Sequence, residues 1–115
     1  MSDCIFCKII EGRIPGKFIY KDENVAAFHD IHPKAPVHVL VVQVKHVESL
    51  REVQAEDKEL LGELFLKVRE IAQKLNIGET GYKIVINNGK NSGQLVYHLH
   101  VHLLGGWSKP ANWQV

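Results

Sequence analysis

The chain has little net charge, no long apolar run and no basic, apolar leader pattern among its first residues. Its 115 residues carry a formal net charge of +1, so nothing favours nucleic acid or an anionic membrane as a partner. No apolar run approaches the ~20 residues that a membrane-spanning helix needs. Since no secretory pattern is found, we expect a cytoplasmic protein. The length and the 45% hydrophobic content predict one globular domain, residues 1–115, in which 107–115 form a C-terminal tail.

Cysteine is scarce, and both cysteines stand in the segment Cys4-Ile5-Phe6-Cys7. In a reducing compartment, metal binding or reduced thiols outrank a disulfide. The spacing is that of half a zinc site, and His46 is a natural third ligand. The alternative is that both cysteines are small buried hydrophobic residues on the first helix. A redox pair is disfavoured because no thioredoxin-like βαβ pattern surrounds it.

Apolar periodicity predicts two helices and five strands separated by short turns. A helix, a three-strand meander, a long helix and two further strands indicate an α+β fold with an antiparallel sheet. The nearly continuous apolar run of the third strand indicates that both of its faces are covered. The predicted helices are 4–11 and 56–75, and the predicted strands are 18–20, 25–28, 37–44, 82–87 and 96–104.

The long helix has an apolar stripe and recognisable ends. Ser49 and Glu52 have the spacing of a capping box upstream of it. Asn76 or Gly78 can take the left-handed conformation that ends a helix. The residues expected to face the core are Leu60, Leu61, Leu64, Phe65, Val68, Ile71, Ala72 and Leu75.

Three histidines alternate in His98-Leu99-His100-Val101-His102 on the last predicted strand. Alternation places the imidazoles on one face and leaves Tyr97, Leu99, Val101 and Leu103 to pack against a helix. Three imidazoles are costly to bury without partners, so the pattern indicates a zinc site or covalent catalysis by a histidine nucleophile. The glycine-rich loop 88–94 supplies backbone and amide donors suited to a phosphate, which favours catalysis.

Residues 93–106 resemble the signature of the histidine-triad superfamily, specifically its nucleotide-binding branch, the purine nucleoside phosphoramidases. Segment 4–14 is similar to the opening helix of that family, 28–31 to its ribose-contacting turn and 35–38 to its next motif. The resemblance covers nearly the whole chain. It implies a five-stranded antiparallel sheet with one short and one long helix, paired into a ten-stranded sheet in a homodimer.

The resemblance also implies an activity, namely hydrolysis of the P–N bond of purine nucleoside phosphoramidates and aminoacyl-nucleotides. The bound nucleotide is then of the AMP or GMP type, and the reaction passes through a nucleotidyl-histidine intermediate. The alternatives are a dinucleoside polyphosphate hydrolase, a nucleotide-binding regulatory protein with incidental catalysis and a purely metal-binding domain. No cofactor is expected to take part in catalysis.

The family pattern further implies residue roles. His100 is the nucleophile, His102 contacts a phosphate oxygen or the leaving group, and His38 and His98 complete the catalytic histidines. Structural Zn²⁺ is bound by Cys4, Cys7, His46 and His98. Leu95 departs from the pattern, since the family often has a polar residue there that assists the leaving group. The nucleotide-binding residues implied are Ile5, Phe6, Ile9, Phe28, His29, Asp30, Ile31, Asn87, Gly93, Gln94, Val96, His100 and His102.

Overall fold

The structure is a computed structural model that describes residues 3–114. Its five strands form one antiparallel sheet in the order β1-β2-β3-β5-β4. The α+β fold predicted from the sequence is therefore confirmed, with the short helix first and the long helix between β3 and β4. The elements are α1 Ile5–Ile10, β1 Phe18–Lys21, β2 Val25–His29, β3 Val37–Gln43, α2 Lys58–Lys74, β4 Tyr82–Val85 and β5 His100–Gly105, with 3₁₀ turns at Leu50–Glu52, Ala55–Asp57 and Lys90–Ser92.

The two helices cover opposite faces of the sheet and make two separate cores. On the α2 face, Val39 and Val41 of β3 pack with Leu64, Val68 and Ile71 of the helix. On the α1 face, Leu40 and Val42 of β3 pack with residues of the short helix; this second core contains Phe6, Ile9, Ile10, Ala26, Phe28, Leu40 and Val42. Because strand side chains alternate, β3 is buried on both faces, as its apolar run predicts.

The long helix begins later than predicted, at Lys58, because Asp57 holds a 3₁₀ turn ahead of it. The Asp57 carboxylate accepts from the Gln54 backbone N–H at 3.0 Å and from Lys45 Nζ at 2.6 Å. After Leu75 the chain leaves the helix through Asn76, whose φ of 62° is the left-handed conformation predicted there. Phe65 was predicted in the buried stripe but is 40% exposed. Within residues 3–114 no helix is both long and apolar enough to cross a membrane.

The last strand is shorter than predicted, because β5 begins at His100 and not at residue 96. Its first pair with β3 is His100 opposite Val42, and β4 extends no further than the pair of Val85 with His102. Residues 96–99 have no adjacent strand and follow an irregular path, so the strand prediction is wrong there. Tyr97, expected to pack against a helix, is 44% exposed.

Candidate active site and metal centre

A cavity of about 1240 Å³ opens on the α1 face of the sheet. His38, Leu40 and Val42 of β3 share this face, and the register places His102 opposite Leu40 and His100 opposite Val42. The fold therefore brings three of the four predicted catalytic histidines to one wall. Twelve of the thirteen predicted nucleotide-binding residues also line the cavity: Ile5, Phe6, Ile9, Phe28, His29, Asp30, Ile31, Asn87, Gly93, Val96, His100 and His102.

Phe6 forms the apolar wall beside the histidines. Its ring meets the ring of Phe28 edge-on, with centroids 5.4 Å apart, and the ring of His100 at 4.9 Å and 89°. Ile5 on the same helix and Ile31 on the opposite loop are exposed at the rim, Ile31 by 85%. An apolar slot of this kind suits the flat face of a nucleobase.

His100 has one ring nitrogen committed to the protein. Its Nδ1 lies 2.6 Å from the backbone carbonyl oxygen of His98, which can only accept, so Nδ1 carries the proton. Nε2 then holds a lone pair. Burial lowers the pKa of His100, against smaller opposing effects of the His98 carbonyl and of Asp30, so the ring is neutral near pH 7. A neutral imidazole with an anchored Nδ1–H is a competent nucleophile.

Next to it, His38, His102 and Asp30 form a connected group. His38 Nε2 lies 2.9 Å from His102 Nδ1 and 3.3 Å from Asp30 Oδ2. The backbone N–H of Lys34 donates to His38 Nδ1 at 2.9 Å. Asp30 Oδ1 accepts from the His32 backbone N–H at 2.8 Å, which fixes the carboxylate at the cavity rim. Burial lowers the pKa of His102 to about 4 and also lowers the pKa of His38.

Gln94 is the predicted nucleotide-binding residue that the structure places outside the cavity lining. Its Nε2 donates to the carbonyls of Glu48 at 2.7 Å and Val96 at 3.1 Å, and its Oε1 accepts from the Gly89 backbone N–H at 2.7 Å. Both side-chain N–H groups are thus committed to the protein. Gln94 shapes the glycine-rich loop and has no donor left for a phosphate, whereas Asn87 faces the cavity.

His98 is separated from the other triad histidines and lies in a metal-ligand cluster with Cys4, Cys7 and His46. Its Nδ1 lies 3.3 Å from Cys4 Sγ, 3.5 Å from Cys7 Sγ and 3.2 Å from His46 Nδ1, and Cys7 Sγ lies 3.4 Å from His46 Nδ1. A zinc tetrahedron with bonds of about 2.0–2.3 Å has edges of about 3.3–3.8 Å. The spacing and the Cys₂His₂ donor set therefore fit zinc.

The surroundings of His98 support ligation through Nδ1. Its Nε2 donates to the backbone carbonyl of Gln43 at 2.6 Å, which leaves the lone pair on the nitrogen that faces the cysteines. A second hydrogen bond of this kind commonly orients a metal-binding histidine. His98 is completely buried and does not line the cavity, so its ring is not placed to contact a substrate. Its backbone carbonyl, however, anchors His100.

Lys34 and Trp113 are cavity residues that the sequence does not predict, whereas Leu95 is a position where the sequence departs from the family pattern. Lys34 contributes through its backbone N–H, for which no sequence signal exists. Trp113 in the tail lines the cavity, with Lys83 Nζ 4.5 Å from its ring centroid, although the sequence assigns it no element. Leu95 is 92% exposed at the cavity mouth, where the family pattern often has a polar side chain.

Comparisons with known proteins agree with this geometry. The family model described as the HIT domain matches residues 11–109. An uncharacterized HIT-like protein of Synechocystis is 47% identical over 97% of this chain and 96% of its own. A HIT family hydrolase from Legionella pneumophila superimposes with a TM-score of 0.90 at 42% identity, covering 92% of this chain and 95% of that one. A histidine triad nucleotide-binding protein from Candida albicans has a TM-score of 0.81 at 31% identity, with 98% and 87% covered.

Proposed function

Because this chain belongs to the HIT domain family, we propose that it hydrolyses the P–N bond of purine nucleoside phosphoramidates and aminoacyl-nucleotides. The observation that carries the proposal is the state of His100. Its Nδ1 proton is held by the His98 carbonyl at 2.6 Å, and its Nε2 has no hydrogen-bond partner within residues 3–114. The ring also lines the cavity, so the lone pair is available to a bound phosphorus.

The proposed reaction has two displacements at phosphorus. In the first, His100 Nε2 forms a bond to the α-phosphorus, and the substrate P–N bond breaks with its electron pair on the leaving amine, which takes up a proton from solvent. In the second, water attacks the nucleotidyl-histidine, releases the nucleoside monophosphate and returns His100 to its starting state. Splitting one displacement into two easier steps is the usual advantage of covalent catalysis.

The cavity offers a contact for each part of a nucleotide. The base lies against Phe6 and Phe28, whose edge-on rings make the apolar slot. The ribose hydroxyls reach Asp30, a partly exposed carboxylate at the rim. The phosphate then lies beside His100 and His102, and Asn87, two residues after the end of β4, lines the same cavity.

A dinucleoside polyphosphate hydrolase is the second candidate, favoured by the size of the cavity. About 1240 Å³ exceeds the ~300–1,000 Å³ typical of small-molecule sites, so a second nucleoside could enter. The nucleophile would be the same. A nucleotide-binding regulatory protein with incidental catalysis remains the non-enzymatic alternative.

We also propose that Cys4, Cys7, His46 and His98 bind structural zinc. Four protein ligands leave no open position, so the ion would tie α1 to the segment before β5 and supply no reactive water. The ligand spacing and the Gln43 carbonyl on His98 support this proposal. The cytoplasmic location, where reduced thiols persist, belongs to the same proposal.

A homodimer formed through β4 completes the proposal. The strand order leaves β1 and β4 at the sheet edges. On β4, Tyr82 and Ile84 are 36% and 42% exposed, and they alternate with the less exposed Lys83 and Val85. An apolar edge strand is a ready template for pairing with another chain, and pairing two copies of β4 would give ten strands.

The test is a rate panel with trapping of the intermediate. The full chain is incubated with adenosine and guanosine phosphoramidates and with dinucleoside polyphosphates, and a rapidly quenched sample is examined by mass spectrometry. We expect faster turnover of the phosphoramidates and a nucleotidyl adduct on His100. Preferred cleavage of dinucleoside polyphosphates would support the second candidate. Turnover retained in His100→Ala would contradict the nucleophile assignment.

A further inference from the structure

Helix α1 carries two of the proposed zinc ligands and one wall of the nucleotide cavity. Cys4 caps its first turn, Cys7 lies within it, and Phe6 stands between the two cysteines. The Cys7 backbone N–H donates to Cys4 Sγ at 3.3 Å, which holds this sulfur against the first turn. Ile5, Phe6 and Ile9 of the same helix line the cavity. Any shift of the ligand-bearing turn therefore also shifts the cavity wall.

Phe6 is in contact with both sites. Its ring centroid is 6.1 Å from that of the ligand His98 and 4.9 Å from that of the proposed nucleophile His100. Its third ring neighbour is Phe28, at 5.4 Å, which completes the slot proposed for the base. The position of this one ring therefore depends on the ligand side and determines the shape of the nucleotide side.

The two ends of α1 are held by different contacts. Six residues are too few for a helix that is stable in water by itself, so these contacts decide where α1 lies. At the C-terminal end, Lys21 Nζ donates to the carbonyl of Ile10. At the N-terminal end, the two cysteines face the two histidines of the cluster. Without ligation, the turn that carries Phe6 is therefore the less constrained end.

A second connection runs through the backbone of His98. Residues 96–99 have no adjacent strand, so the side chain of His98 helps to fix the backbone there. Its Nε2 donates to the Gln43 carbonyl at 2.6 Å, and its Nδ1 faces the two cysteines. Its own carbonyl accepts from His100 Nδ1 at 2.6 Å. Ligation at Nδ1 of His98 thus fixes, within one residue, the acceptor that orients the proposed nucleophile.

The two histidine ligands lie on segments that are already joined. The Leu99 backbone N–H donates to the Val47 carbonyl at 2.8 Å, so the residue after His98 is bound to the residue after His46. The two cysteines lie on α1, which is separate from both of these segments. Ligation therefore adds α1 to a pair of segments that the backbone already connects.

We infer that the Cys₂His₂ cluster and the nucleotide cavity are coupled sites, so that ligation in the cluster raises the affinity of the cavity for a nucleoside monophosphate. The inference rests on the proposed function and on the proposed zinc. His98 is then a positioning residue that acts through the carbonyl it presents to His100. Because coupling between two binding sites is reciprocal, a bound nucleotide raises the metal affinity by the same factor. The ligands of the Cys₂His₂ cluster are Cys4, Cys7, His46 and His98.

The ligands are accessible from solvent in the folded chain. Cys4 and His46 line a second cavity of about 360 Å³, and the side chain of His46 is exposed. This opening gives an ion and a chelator access to the Cys₂His₂ cluster without unfolding. The nucleotide site of one folded chain can therefore be compared with and without the ion.

Two other interpretations predict a different dependence on the ion. If the ion only stabilises the fold, its removal changes the fraction of folded chains and leaves the nucleotide affinity of each folded chain unchanged. If an ion binds instead between Asp30, His38 and His102, whose ligand atoms also lie close together, a chelator acts directly on the cavity. The variants below separate the coupling from both interpretations.

Calorimetric titration of AMP into the full chain, loaded with zinc or treated with a chelator, tests the coupling without turnover. The backbone NMR spectrum first establishes that the chelated chain is folded at the temperature used. We expect chelation to raise the Kd for AMP at least about 5-fold, the lower end of ordinary coupling between two sites. A change of less than about twofold, in a chain that holds zinc and binds AMP, would overturn the inference while the proposed zinc and the proposed function both stand.

Release of cobalt from the loaded chain provides a second measurement that starts from the folded protein. Cobalt bound by thiolates absorbs visible light, so its loss to an excess of chelator can be followed with and without saturating AMP. AMP should slow the release, and Val68→Ala, a change in the core under α2, should leave the release rate unchanged. A rate that AMP does not alter would overturn the inference. So would a rate that rises in Val68→Ala in proportion to its loss of stability, because the ion would then leave by global unfolding.

His46 offers a matched pair of variants, because it is a ligand that does not line the nucleotide cavity. His46→Ala should bind AMP as weakly as the chelated wild type and should not respond further to the chelator. His46→Cys supplies another zinc ligand at the same position, so it should recover both zinc and AMP affinity. A chelator effect that persists in His46→Ala would place the ion in the cavity and overturn the inference.

Phe6 and Phe28 separate the connection from the slot. Both rings line the cavity, so Phe6→Leu and Phe28→Leu should each weaken AMP binding. Phe6 alone of the two lies between zinc ligands, so the additional effect of chelation should be largely lost in Phe6→Leu and kept in Phe28→Leu. Equal chelation effects in the two variants would remove Phe6 from the explanation and overturn the proposed connection through α1.

The connection through His98 is tested on the ring proton of His100. In ¹⁵N-edited NMR of the zinc-loaded chain, His100 Nδ1–H should give a sharp resonance, which should shift or broaden on chelation. An adenosine phosphoramidate should show a lower kcat as well as a higher KM after chelation, because the orientation of His100 and the base slot are both affected. A ring resonance unmoved by chelation would overturn the role of His98. If the wild type cleaves no phosphoramidate, the proposed function fails, while the AMP titrations still decide the coupling.

Discussion

Removing one exposed ligand, by His46→Ala, isolates the contribution of the proposed zinc to stability. His46 is exposed, so its loss costs little packing, unlike the loss of the buried His98. The other three ligands and both cores are unchanged. The change should therefore act through the ion, which would otherwise tie α1 to the segment that precedes β5.

The expected magnitude follows from the small size of α1. A six-residue helix does not form by itself in water, so α1 depends on its core contacts and on the two cysteines that flank Phe6. An ion that binds only the folded chain stabilises it by about 4 kcal/mol at a free concentration of about 1,000 Kd. For a chain of this length, about 4 kcal/mol corresponds to a Tm difference of roughly 15 °C.

The assay is a thermal melt with and without a strong chelator, together with metal analysis. Wild type should contain one zinc per chain, and chelation should lower its Tm by roughly 15 °C. His46→Ala should melt near the chelated wild type and respond little to the chelator. His32→Ala, which also removes an exposed histidine but lies outside the cluster, should behave as wild type. The reasoning would be refuted if wild type purified in zinc-containing buffer held no zinc and its Tm did not change when the chelator was added.

Four further predictions follow from the site and the sheet. His100→Ala should lower turnover by at least about 10³-fold, because it removes the nucleophile of the proposed reaction, and calorimetric titration should show AMP affinity within severalfold of wild type; a larger loss of affinity would point to a binding role instead. Phe28→Ala should lower the free energy of unfolding in urea by about 3–5 kcal/mol, since a nearly buried ring would leave a cavity, and a loss under 1 kcal/mol would show that the slot collapses around the gap. The free energy of unfolding should fall as the pH is lowered from about 6.5 towards 4. Burial lowers the pKa of His102 from 6.5 to about 4, so over this range the unfolded chain binds more protons than the folded chain. A Tm that rises as the pH falls would contradict this prediction. Ile84→Lys on the β4 edge should reduce the mass seen by light scattering from dimer to monomer, whereas Leu50→Lys, equally exposed at 42% but away from that edge, should leave it unchanged.

The sequence predicts the sheet well because its strands have strong local signals. The apolar run of β3 and the short polar turn between β1 and β2 depend on neighbouring residues, and those boundaries agree within one residue. The end of α2 is equally local, since Asn76, one of the two residues predicted to end the helix, takes the left-handed conformation. The family resemblance extends this agreement to most cavity residues.

The sequence-based predictions differ from the structure where contacts with backbone distant in the sequence determine the conformation. β5 begins at His100 because its partner β3 ends at Gln43. The apolar periodicity of the last segment does not reveal where the partner strand ends. Gln94 is a plausible phosphate donor by composition, but the Glu48 carbonyl occupies its amide. The tautomer of His38 depends on a backbone N–H, and every residue except proline has one. Contacts of this kind carry no residue-type signal.

The two-sided burial of β3 has a consequence for how this chain tolerates change. Its odd-numbered residues Val39 and Val41 lie among the α2 contacts, whereas His38 and Leu40 line the cavity. Substitutions at the odd positions should therefore lower abundance alone, whereas substitutions at the even positions should also lower activity, because Leu40 belongs both to the α1-side core and to the cavity wall. The α2 side can drift by repacking while the chemistry on the α1 side is preserved, so stability and specificity can evolve through different residues of the same strand.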